Sequence, residues 1–351
     1  MFDFTFVLPG SGAVPVGGFK IVYEYANRLT LLGYKVSVVH SPNIELSLKP
    51  SSIKRGLGYI KRSIDKSYIP RWLELHSEVD VRWVPKLQAK YLGNSKVFVA
   101  TAWQTARSVA ETAGKDAKGI YLIQDYETWS GSAQEVKATY AFDLTNIAIS
   151  RWLQEIVIST GNDCHYIPNA LESKDFYITQ SIEDRNPCNI GVLFHPRESK
   201  NFATSLEALK IVKQRHPMLR AKVFGATRPE YAFPEWVDFH FRPAKAELRE
   251  LYNSCAIFLT ASKTEGWGLT GCEALQCGCA LVASNIPGHR EYAIEGETAL
   301  LFPALSPQTA ASRIEELISD RTLRIELSTR GNQLVNTFTW DRAINSFLKL
   351  T

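Results

Sequence analysis

Short apolar segments alternate with segments of helical periodicity along most of the chain. Phe2, Phe4, Phe6 and Leu8 form one face of a strand, because apolar residues recur at every second position. A glycine-rich loop, PGSGAVPVGG, follows, and the apolar residues after it recur at helical spacing. The segments YKVSVV, KVFVATA, GIYLIQD, NIAIS and CHYIP then continue as short apolar strands up to residue 168. Apolar runs of this length are typical of strands buried in a parallel sheet.

A second series of the same kind begins after an interruption. The run LESKDFYITQSIEDRNPC lacks apolar periodicity, and we interpret residues 169–188 as a linker between two domains. NIGVLF, AKVFGA, DFHFR, AIFLTAS and CALVAS then read as strands separated by helical segments. Strands that alternate with helices form parallel sheets with right-handed crossovers. The pattern therefore predicts an α/β protein with two doubly wound Rossmann-like domains, residues 1–168 and 189–336, which we expect to face each other across a cleft.

The composition agrees with two globular domains. Of the 351 residues, 45% are hydrophobic and 22% are charged, as in soluble proteins. The first residues lack the basic start and the small-residue cleavage pattern of a signal peptide, and no 18 consecutive residues are apolar. The six cysteines form no C-x-x-C pair, so we expect buried free thiols and a cytoplasmic protein.

The net charge of +4 hides an uneven distribution. Residues 49–90 contain ten Lys or Arg and four Asp or Glu, interleaved with aromatic residues that include Trp72 and Trp83. One interpretation is a solvated helical insertion. The other is a surface for an anionic membrane or a lipid-phosphate acceptor, with the tryptophans suited to the interface. We expect no nucleic-acid partner, because no recognition motif accompanies the charge.

The segment AIFLTASKTEGWGLTGCEALQCG holds the first candidate site. A buried strand ends near Ser262, and a helix starts near Thr270 after a glycine-containing turn. The backbone amides of Gly268, Leu269 and Thr270 and the positive end of the helix dipole then predict a binding site for an anion such as a diphosphate.

Two glutamates flank this predicted anion site. A carboxylate repels phosphate, so Glu265 and Glu273 should instead accept hydrogen bonds from neutral hydroxyl groups, such as those of a sugar or a ribose. The structural alternative makes Glu273 a charge that complements the helix dipole and Glu265 an ordinary loop residue.

The ten residues EGWGLTGCEA resemble the hallmark of the retaining glycosyltransferases of family 4, E-G-[FW]-G-L-x-x-x-E-A. The flanking runs FRPAKAELRELYNSC and CGCALVASNIPGHREYAIEGETALLFP are also similar to that family. The resemblance is strong over residues 189–305 and weaker over residues 1–168. It implies the GT-B fold, in which a terminal helix, here residues 337–351, crosses back to the first domain.

The resemblance also implies roles for residues of the second domain. Glu273 would hold the ribose hydroxyls of the donor nucleotide, and Glu265 would contact hydroxyls of the transferred sugar. The diphosphate clamp of the family would be Lys200 with Arg197, although an ungapped alignment places His195 in the position of the arginine. We favour the arginine because its planar fork suits two phosphate oxygens. The remaining donor-binding candidates are Arg242, Gly266, Trp267, Gly268, Leu269 and Thr270.

In the first domain, Gly17 and Gly18 match the family's glycine loop, where the backbone approaches the diphosphate. The family usually has a histidine after the strand that GIYLIQD represents. This chain has Gln124 and Asp125 there, in a QDYE segment that is similar to a subgroup acting in rhamnose-containing and other surface polysaccharides.

The resulting prediction is a metal-independent hexosyltransferase without a cofactor. By this resemblance it would move a hexose, glucose first among them, from a uridine diphosphate (UDP) sugar to a glycan or lipid-linked oligosaccharide with retention of configuration. The resemblance implies a front-face mechanism in which the leaving phosphate takes the acceptor's proton. Glu265, Arg197, Lys200, Asp125 and Gln124 are the catalytic candidates. The alternatives are a sugar-nucleotide epimerase on the same fold and a non-catalytic nucleotide-sugar-binding partner.

Overall fold

The computed structural model describes residues 1–42 and 50–351. The chain divides into two compact units, Met1–Asn169 with Asp341–Thr351, and Ala170–Trp340. Asp341–Thr351 thus belong to the first unit, where the sequence placed the terminal helix. Lys49, the predicted start of the basic segment, lies outside the described residues.

Within its described residues the first unit contains a parallel sheet of seven strands with helices between them. The strands are β1 (Phe2–Pro9), β2 (Val36–Ser41), β3 (Asp80–Trp83), β4 (Ser95–Ala100), β5 (Lys118–Ile123), β6 (Thr145–Ala148) and β7 (His165–Tyr166). The helices are α1 (Gly17–Leu31), α2 (Pro50–Asp65), α3 (Ala89–Leu92), α4 (Trp103–Ala113), α5 (Ala133–Ala138) and α6 (Arg151–Ile158).

The strand order of this sheet is β3-β2-β1-β4-β5-β6-β7. β1 pairs in parallel with β2 on one side and with β4 on the other, so that Phe6 faces Val38 and Val99. The chain therefore winds outward in opposite directions from β1 and β4. Loops diverge at the carboxyl ends of two such strands, and this edge is where doubly wound sheets bind ligands.

The terminal helix closes the core of the first unit. Phe347 is completely buried, and its ring centroid lies 5.9 Å from that of Phe4, 6.2 Å from Phe6 and 5.1 Å from Tyr25. Phe4 and Phe6 lie on β1, and Tyr25 lies on α1. The last residues of the chain thus pack on the first strand and the first helix.

The second unit contains a parallel six-stranded sheet, and all its residues are described. Its strands are β8 (Asn189–Leu193), β9 (Arg220–Gly225), β10 (Val237–Phe241), β11 (Ile257–Thr260), β12 (Ala280–Ser284) and β13 (Ala299–Phe302). Its helices are α7 (Phe202–Arg215), α8 (Lys245–Asn253), α9 (Leu269–Gln276), α10 (Pro307–Ser319) and α11 (Arg321–Val335), and α12 (Trp340–Leu348) follows.

The strand order of the second sheet is β10-β9-β8-β11-β12-β13. The winding reverses between β8 and β11, which pair directly in parallel. The loops that follow these two strands therefore flank the ligand-binding position of this sheet.

Residues 170–188, within the predicted linker, belong to the second unit. Arg185 is buried, with 3% of its surface exposed. Its guanidinium donates hydrogen bonds to the carbonyl oxygens of Gln180, Cys255 and Cys277. Because a buried charge needs such partners, these bonds tie the segment to the body of the unit.

The basic segment contains structure that its sequence pattern did not predict. β3 is the edge strand of the first sheet, next to β2. Trp72 Nε1 donates a hydrogen bond to the Gly12 carbonyl at 2.8 Å, and the Trp83 ring stacks on Tyr59 and on Tyr68, each at 5.8 Å. The two tryptophans thus make contacts within the unit.

All six cysteines are free thiols, and Cys255, Cys272, Cys277 and Cys279 are buried. Among residues 1–42 and 50–351, no cluster of three or more His, Cys, Asp or Glu side chains is arranged to hold a metal ion. No helix in the described part of the chain combines the length and the apolarity needed to cross a bilayer.

Candidate functional site

The loops after β8 and β11 bring a lysine and a glutamate together. Lys200 Nζ lies 2.6 Å from Glu265 Oε1 and 2.7 Å from Oε2. The two side chains are 27% and 14% exposed. Two further hydrogen bonds join the loops, from Lys263 N to the Ser199 carbonyl at 2.7 Å and from Asn201 Nδ2 to the Ala261 carbonyl at 3.0 Å. The switch point of the second sheet thus carries a partly buried ion pair, and hydrogen bonds hold together the two loops that supply it.

The Glu265 carboxylate is held in its ionised form. Ser262 Oγ donates a hydrogen bond to Glu265 Oε1 at 2.7 Å. Burial raises the pKa of Glu265, but the Lys200 ammonium and the hydrogen bonds from Lys200 and Ser262 outweigh it, so the pKa lies below its usual value. No sequence pattern singled out Ser262, although this residue closely follows the end of β11.

His289 is a second residue that sequence analysis missed. It is 1% exposed, and its Nδ1 lies 2.9 Å from the Ser284 carbonyl oxygen. A carbonyl only accepts hydrogen bonds, so we assign the proton to Nδ1, which leaves Nε2 as an acceptor in the neutral ring. Burial lowers the pKa of His289, although Glu265 opposes the shift. His289 is therefore a buried, neutral imidazole near Glu265.

The turn that ends in α9 needs glycine. Gly268 has φ +95°, and a Cβ on it would lie 2.7 Å from Tyr292 Oη and 2.9 Å from His289 Cδ2. Tyr292 Oη also donates a hydrogen bond to the Gly268 carbonyl at 2.8 Å. Close packing and a left-handed backbone thus both exclude a side chain at this position.

We expect Gly268→Ala to lower the free energy of unfolding by about 2–4 kcal/mol, the sum of a strained backbone and an overpacked contact. Gly296→Ala is the matched control, because Gly296 has φ +72° but nothing within 4 Å of its added Cβ. The control should show only the backbone contribution. Urea unfolding of both variants is the measurement, and equal losses of stability would mean that the contacts with Tyr292 and His289 are unimportant.

Helix α9 starts at Leu269, next to this turn. Gly268 is its N-cap residue, and no side chain caps it. The first amides of an α-helix have no partner within the helix, so the amides of Leu269 and Thr270 suit an anion. Trp267 contributes no side chain here, because it is 2% exposed and its ring packs against Phe338 at 5.2 Å.

Glu273 lies further along α9 and is 7% exposed. Tyr252 Oη, from helix α8, donates a hydrogen bond to Glu273 Oε2 at 3.3 Å. The contact is long for a hydrogen bond to a carboxylate oxygen. Tyr252, which is completely buried, is another residue without a signal in the sequence.

The remaining candidates of the second unit lie at the same edge of the sheet. His195 and Arg197 share the loop of Lys200, and the Arg197 amide donates a hydrogen bond to His195 Nδ1 at 3.0 Å. Burial, together with Lys200 and Arg197, lowers the pKa of His195. Arg242 follows β10, two strands from β8, where its guanidinium lies 5.1 Å from the Phe241 ring centroid.

In the first unit, Gly17 and Gly18 begin helix α1. A Cβ on Gly18 would lie 3.3 Å from Gln124 Oε1, so the structure brings these two predicted residues together. Gln124 Oε1 is buried and lacks a hydrogen-bond partner within the described residues. Gln124 Nε2 approaches the Thr101 carbonyl at 3.5 Å.

The QDYE segment follows β5. Asp125 accepts hydrogen bonds from the Tyr126 amide at 2.9 Å and from Trp129 Nε1 at 3.2 Å. Glu127 Oε2 accepts one from the Trp103 amide at 2.7 Å, at the start of α4. Burial raises the pKa of Glu127 to about 7, against the lowering effect of that hydrogen bond and with a further increase from Asp125. No pattern in the sequence singled out Glu127, whose side chain is partly buried.

The geometry of the second unit can be compared with known proteins. Residues 195–334 match the family Glycosyl transferases group 1.

Curated relatives of this chain include an uncharacterized glycosyltransferase of Methanocaldococcus jannaschii. The two are 26% identical over 104 residues, which are 30% of this chain and 30% of the relative. The O-antigen biosynthesis protein RfbC of Myxococcus xanthus is 25% identical over 72% of this chain and 20% of its own length. The chain thus spans less than a third of the length of these two relatives.

Solved structures show the fold. Sucrose-phosphate synthase from Thermosynechococcus elongatus has a TM-score of 0.76 and 14% identity, with 100% of this chain and 98% of that chain covered. HepE of Anabaena in complex with UDP-glucose has a TM-score of 0.73 and 16% identity, with 100% of both chains covered. The two Rossmann-like units therefore match the GT-B fold of glycosyltransferase structures.

The group 1 glycosyltransferase match includes every candidate residue of the second unit, from His195 to Glu273. The candidates of the first unit, such as Gly18 and Gln124, lie outside the matched residues.

Proposed function

We propose that this protein transfers a hexose from a UDP-sugar to a glycan or lipid-linked acceptor in surface polysaccharide biosynthesis, with retention of configuration. The Lys200–Glu265 pair at the switch point of the second sheet carries the proposal, because it lies inside the group 1 glycosyltransferase match. The complex of HepE with UDP-glucose supports a UDP-hexose donor. The name of RfbC, an O-antigen biosynthesis protein, supports the polysaccharide acceptor.

The residues of the second unit have complementary roles in this proposal. Lys200, Arg197 and the amino end of α9 hold the diphosphate and stabilise the negative charge that develops on it as the sugar departs. Glu265 accepts hydrogen bonds from the sugar hydroxyls, and Glu273 accepts them from the ribose. The ionised state of Glu265 suits this role, since a carboxylate is a stronger acceptor than a carboxylic acid.

The acceptor's proton passes to the leaving phosphate oxygen as the new glycosidic bond forms on the same face of the sugar. No protein nucleophile takes part in this proposal. Gln124 and Asp125 position groups on the acceptor side, and Gly17 and Gly18 allow close approach of the backbone to the diphosphate.

Two rival functions make different predictions. An epimerase would return an altered nucleotide sugar, and a non-catalytic partner would bind the donor without turning it over. The family match favours transfer over epimerisation.

Isothermal titration calorimetry tests the donor assignment. We expect UDP and UDP-glucose to bind, and GDP-mannose to bind at least tenfold more weakly, a difference of about 1.4 kcal/mol. UDP should compete with UDP-glucose for one site. Failure of every uridine nucleotide to bind would refute the proposed donor.

We also propose that the reaction needs no divalent cation, because Lys200, Arg197 and the helix amides supply positive charge to the diphosphate. Activity measured in excess EDTA should equal that of the untreated protein. Loss of activity in EDTA that magnesium or manganese restores would contradict this part of the proposal.

A further inference from the structure

Helix α2 of the first unit displays an apolar face. Leu57, Ile60 and Ile64 are 64%, 55% and 78% exposed. Their spacing of three and four residues places them on one side of the helix. Single exposed apolar residues are ordinary, but three on one helix face form a contiguous patch, which is typical of an interaction site.

The other side of α2 holds the helix on the unit. The Tyr59 ring stacks on that of Trp83 at 5.8 Å, and the Tyr59 carbonyl accepts a hydrogen bond from Trp83 Nε1 at 3.1 Å. Tyr59 lies about 130° around the helix axis from the mean direction of the three apolar residues. The contact with Trp83, on strand β3, therefore turns the apolar face away from the sheet.

Basic residues border the apolar face. Residues 50–66 contain five Lys or Arg and one acidic residue, Asp65. Lys54 and Lys61 are exposed and lie within about 60° of Leu57 around the helix axis. Arg55 and Lys66 are also exposed. An apolar stripe beside a positive border makes α2 an amphipathic basic helix.

We propose that α2 docks the first unit on an anionic lipid surface. Leu57, Ile60 and Ile64 enter the boundary between headgroups and acyl chains, and Lys54 and Lys61 contact the negative headgroups. Helices with this division bind by apolar burial together with attraction to anionic lipids.

The positive charge beside the apolar face of α2 favours an anionic lipid surface over a second copy of the chain as the binding partner. Two α2 faces packed on each other would bring the same positive borders together, which is unfavourable. An anionic leaflet instead complements these charges, and each basic residue near it contributes about 1 kcal/mol of binding free energy, or roughly fivefold in affinity. The proposal concerns where the protein works and is independent of the donor.

Vesicle co-sedimentation tests the proposal. At low salt the protein should bind vesicles of phosphatidylcholine and phosphatidylglycerol at least tenfold more tightly than vesicles of phosphatidylcholine alone, as expected if Lys54 and Lys61 both engage. Raising the salt should weaken binding, because the attraction is screened over about 8 Å at physiological ionic strength.

Two sets of variants separate α2 from the rest of the surface. The triple variant Leu57→Ser/Ile60→Ser/Ile64→Ser should lose at least tenfold in affinity for the anionic vesicles. Its matched control alters three exposed apolar residues elsewhere in the first unit: Leu31→Ser, Leu32→Ser and Ile158→Ser, which are 68%, 59% and 53% exposed.

The charge variant Lys54→Gln/Arg55→Gln/Lys61→Gln should lose the preference for anionic vesicles. Its matched control, Lys115→Gln/Lys118→Gln/Lys137→Gln, removes three exposed lysines outside α2 and should keep that preference. All four variants should turn over the nucleotide-sugar donor as the wild type does. Donor turnover and vesicle binding are therefore independent measurements, and a wrong donor assignment would not affect the vesicle result.

Equal binding to both kinds of vesicle, binding to neither, or wild-type binding by both α2 variants would overturn the proposal. Size-exclusion chromatography tests the rival occupant. A dimer that the apolar α2 variant dissociates would assign the face to a second copy of the chain and also overturn the lipid proposal.

Discussion

Lys200→Met is expected to lower kcat/KM for donor turnover by about 10²–10³, the loss typical of removing one preorganised group that stabilises developing negative charge. In the structure Lys200 Nζ contacts both oxygens of Glu265, and in the proposed function it faces the departing diphosphate. Removal of the ammonium takes away a positive charge just where the leaving group becomes more negative. Steady-state turnover of UDP-glucose, monitored by UDP release, is the measurement.

A second ion pair between the same two loops offers a matched control for this variant. Lys263 Nζ pairs with Glu198, and these residues lie on the same two loops as Glu265 and Lys200. Glu198 is exposed, and exposed ion pairs contribute little, so Lys263→Met should keep near wild-type turnover. Equal losses in both variants would show that Lys200 acts only by holding the loops together.

Glu273→Gln should raise the Kd of UDP by about 10–100-fold, since a hydrogen bond to a charged group contributes about 1.5–3 kcal/mol. The substitution keeps the size of the side chain but replaces the carboxylate, whose two oxygens would accept bonds from the ribose hydroxyls, with a neutral amide that has one acceptor oxygen. Calorimetric titration with UDP measures the change. Tyr252→Phe, which removes the hydroxyl that contacts Glu273 Oε2, should have a smaller effect in the same direction.

A modified ligand distinguishes ribose recognition from a general structural role for Glu273. The wild type should bind 2′,3′-dideoxy-UDP more weakly than UDP, whereas Glu273→Gln should bind the two ligands equally. If the variant weakens both ligands by the same factor, Glu273 does not contact the ribose.

The apolar pattern predicted the strands that lie inside the two sheets, because both faces of such strands are covered and their residues are apolar. It missed β3, a four-residue edge strand of sequence DVRW. The polar side chains of β3 find local partners, with Arg82 Nε 3.1 Å from Asp80 Oδ2 and Arg82 Nη2 2.6 Å from the Leu92 carbonyl. Periodicity cannot reveal such a strand, since its stability depends on contacts that are distant in sequence.

The same distinction applies to the site. Glu265 and Glu273 became candidates because they lie on one strand-turn-helix unit, whose geometry is local, and because EGWGLTGCEA resembles a glycosyltransferase motif. Ser262, His289 and Tyr252 were missed because their contacts with these glutamates or with the turn at Gly268 form only in the folded unit. The basic segment illustrates a third case. Composition indicated an amphipathic surface, but only the structure separates the intramolecular contacts of Trp72 and Trp83 from the exposed face of Leu57.

The most direct test of the central claim is product analysis after incubation of the protein with single nucleotide sugars. Anion-exchange chromatography with mass spectrometry would follow UDP-glucose, UDP-N-acetylglucosamine and GDP-mannose without any acceptor. A retaining UDP-hexosyltransferase should slowly release UDP and free hexose from a UDP-sugar, and Lys200→Met should slow that release by about 10²–10³. An isomeric UDP-sugar as product would instead identify an epimerase, and no consumption of any donor would contradict the assignment as an enzyme.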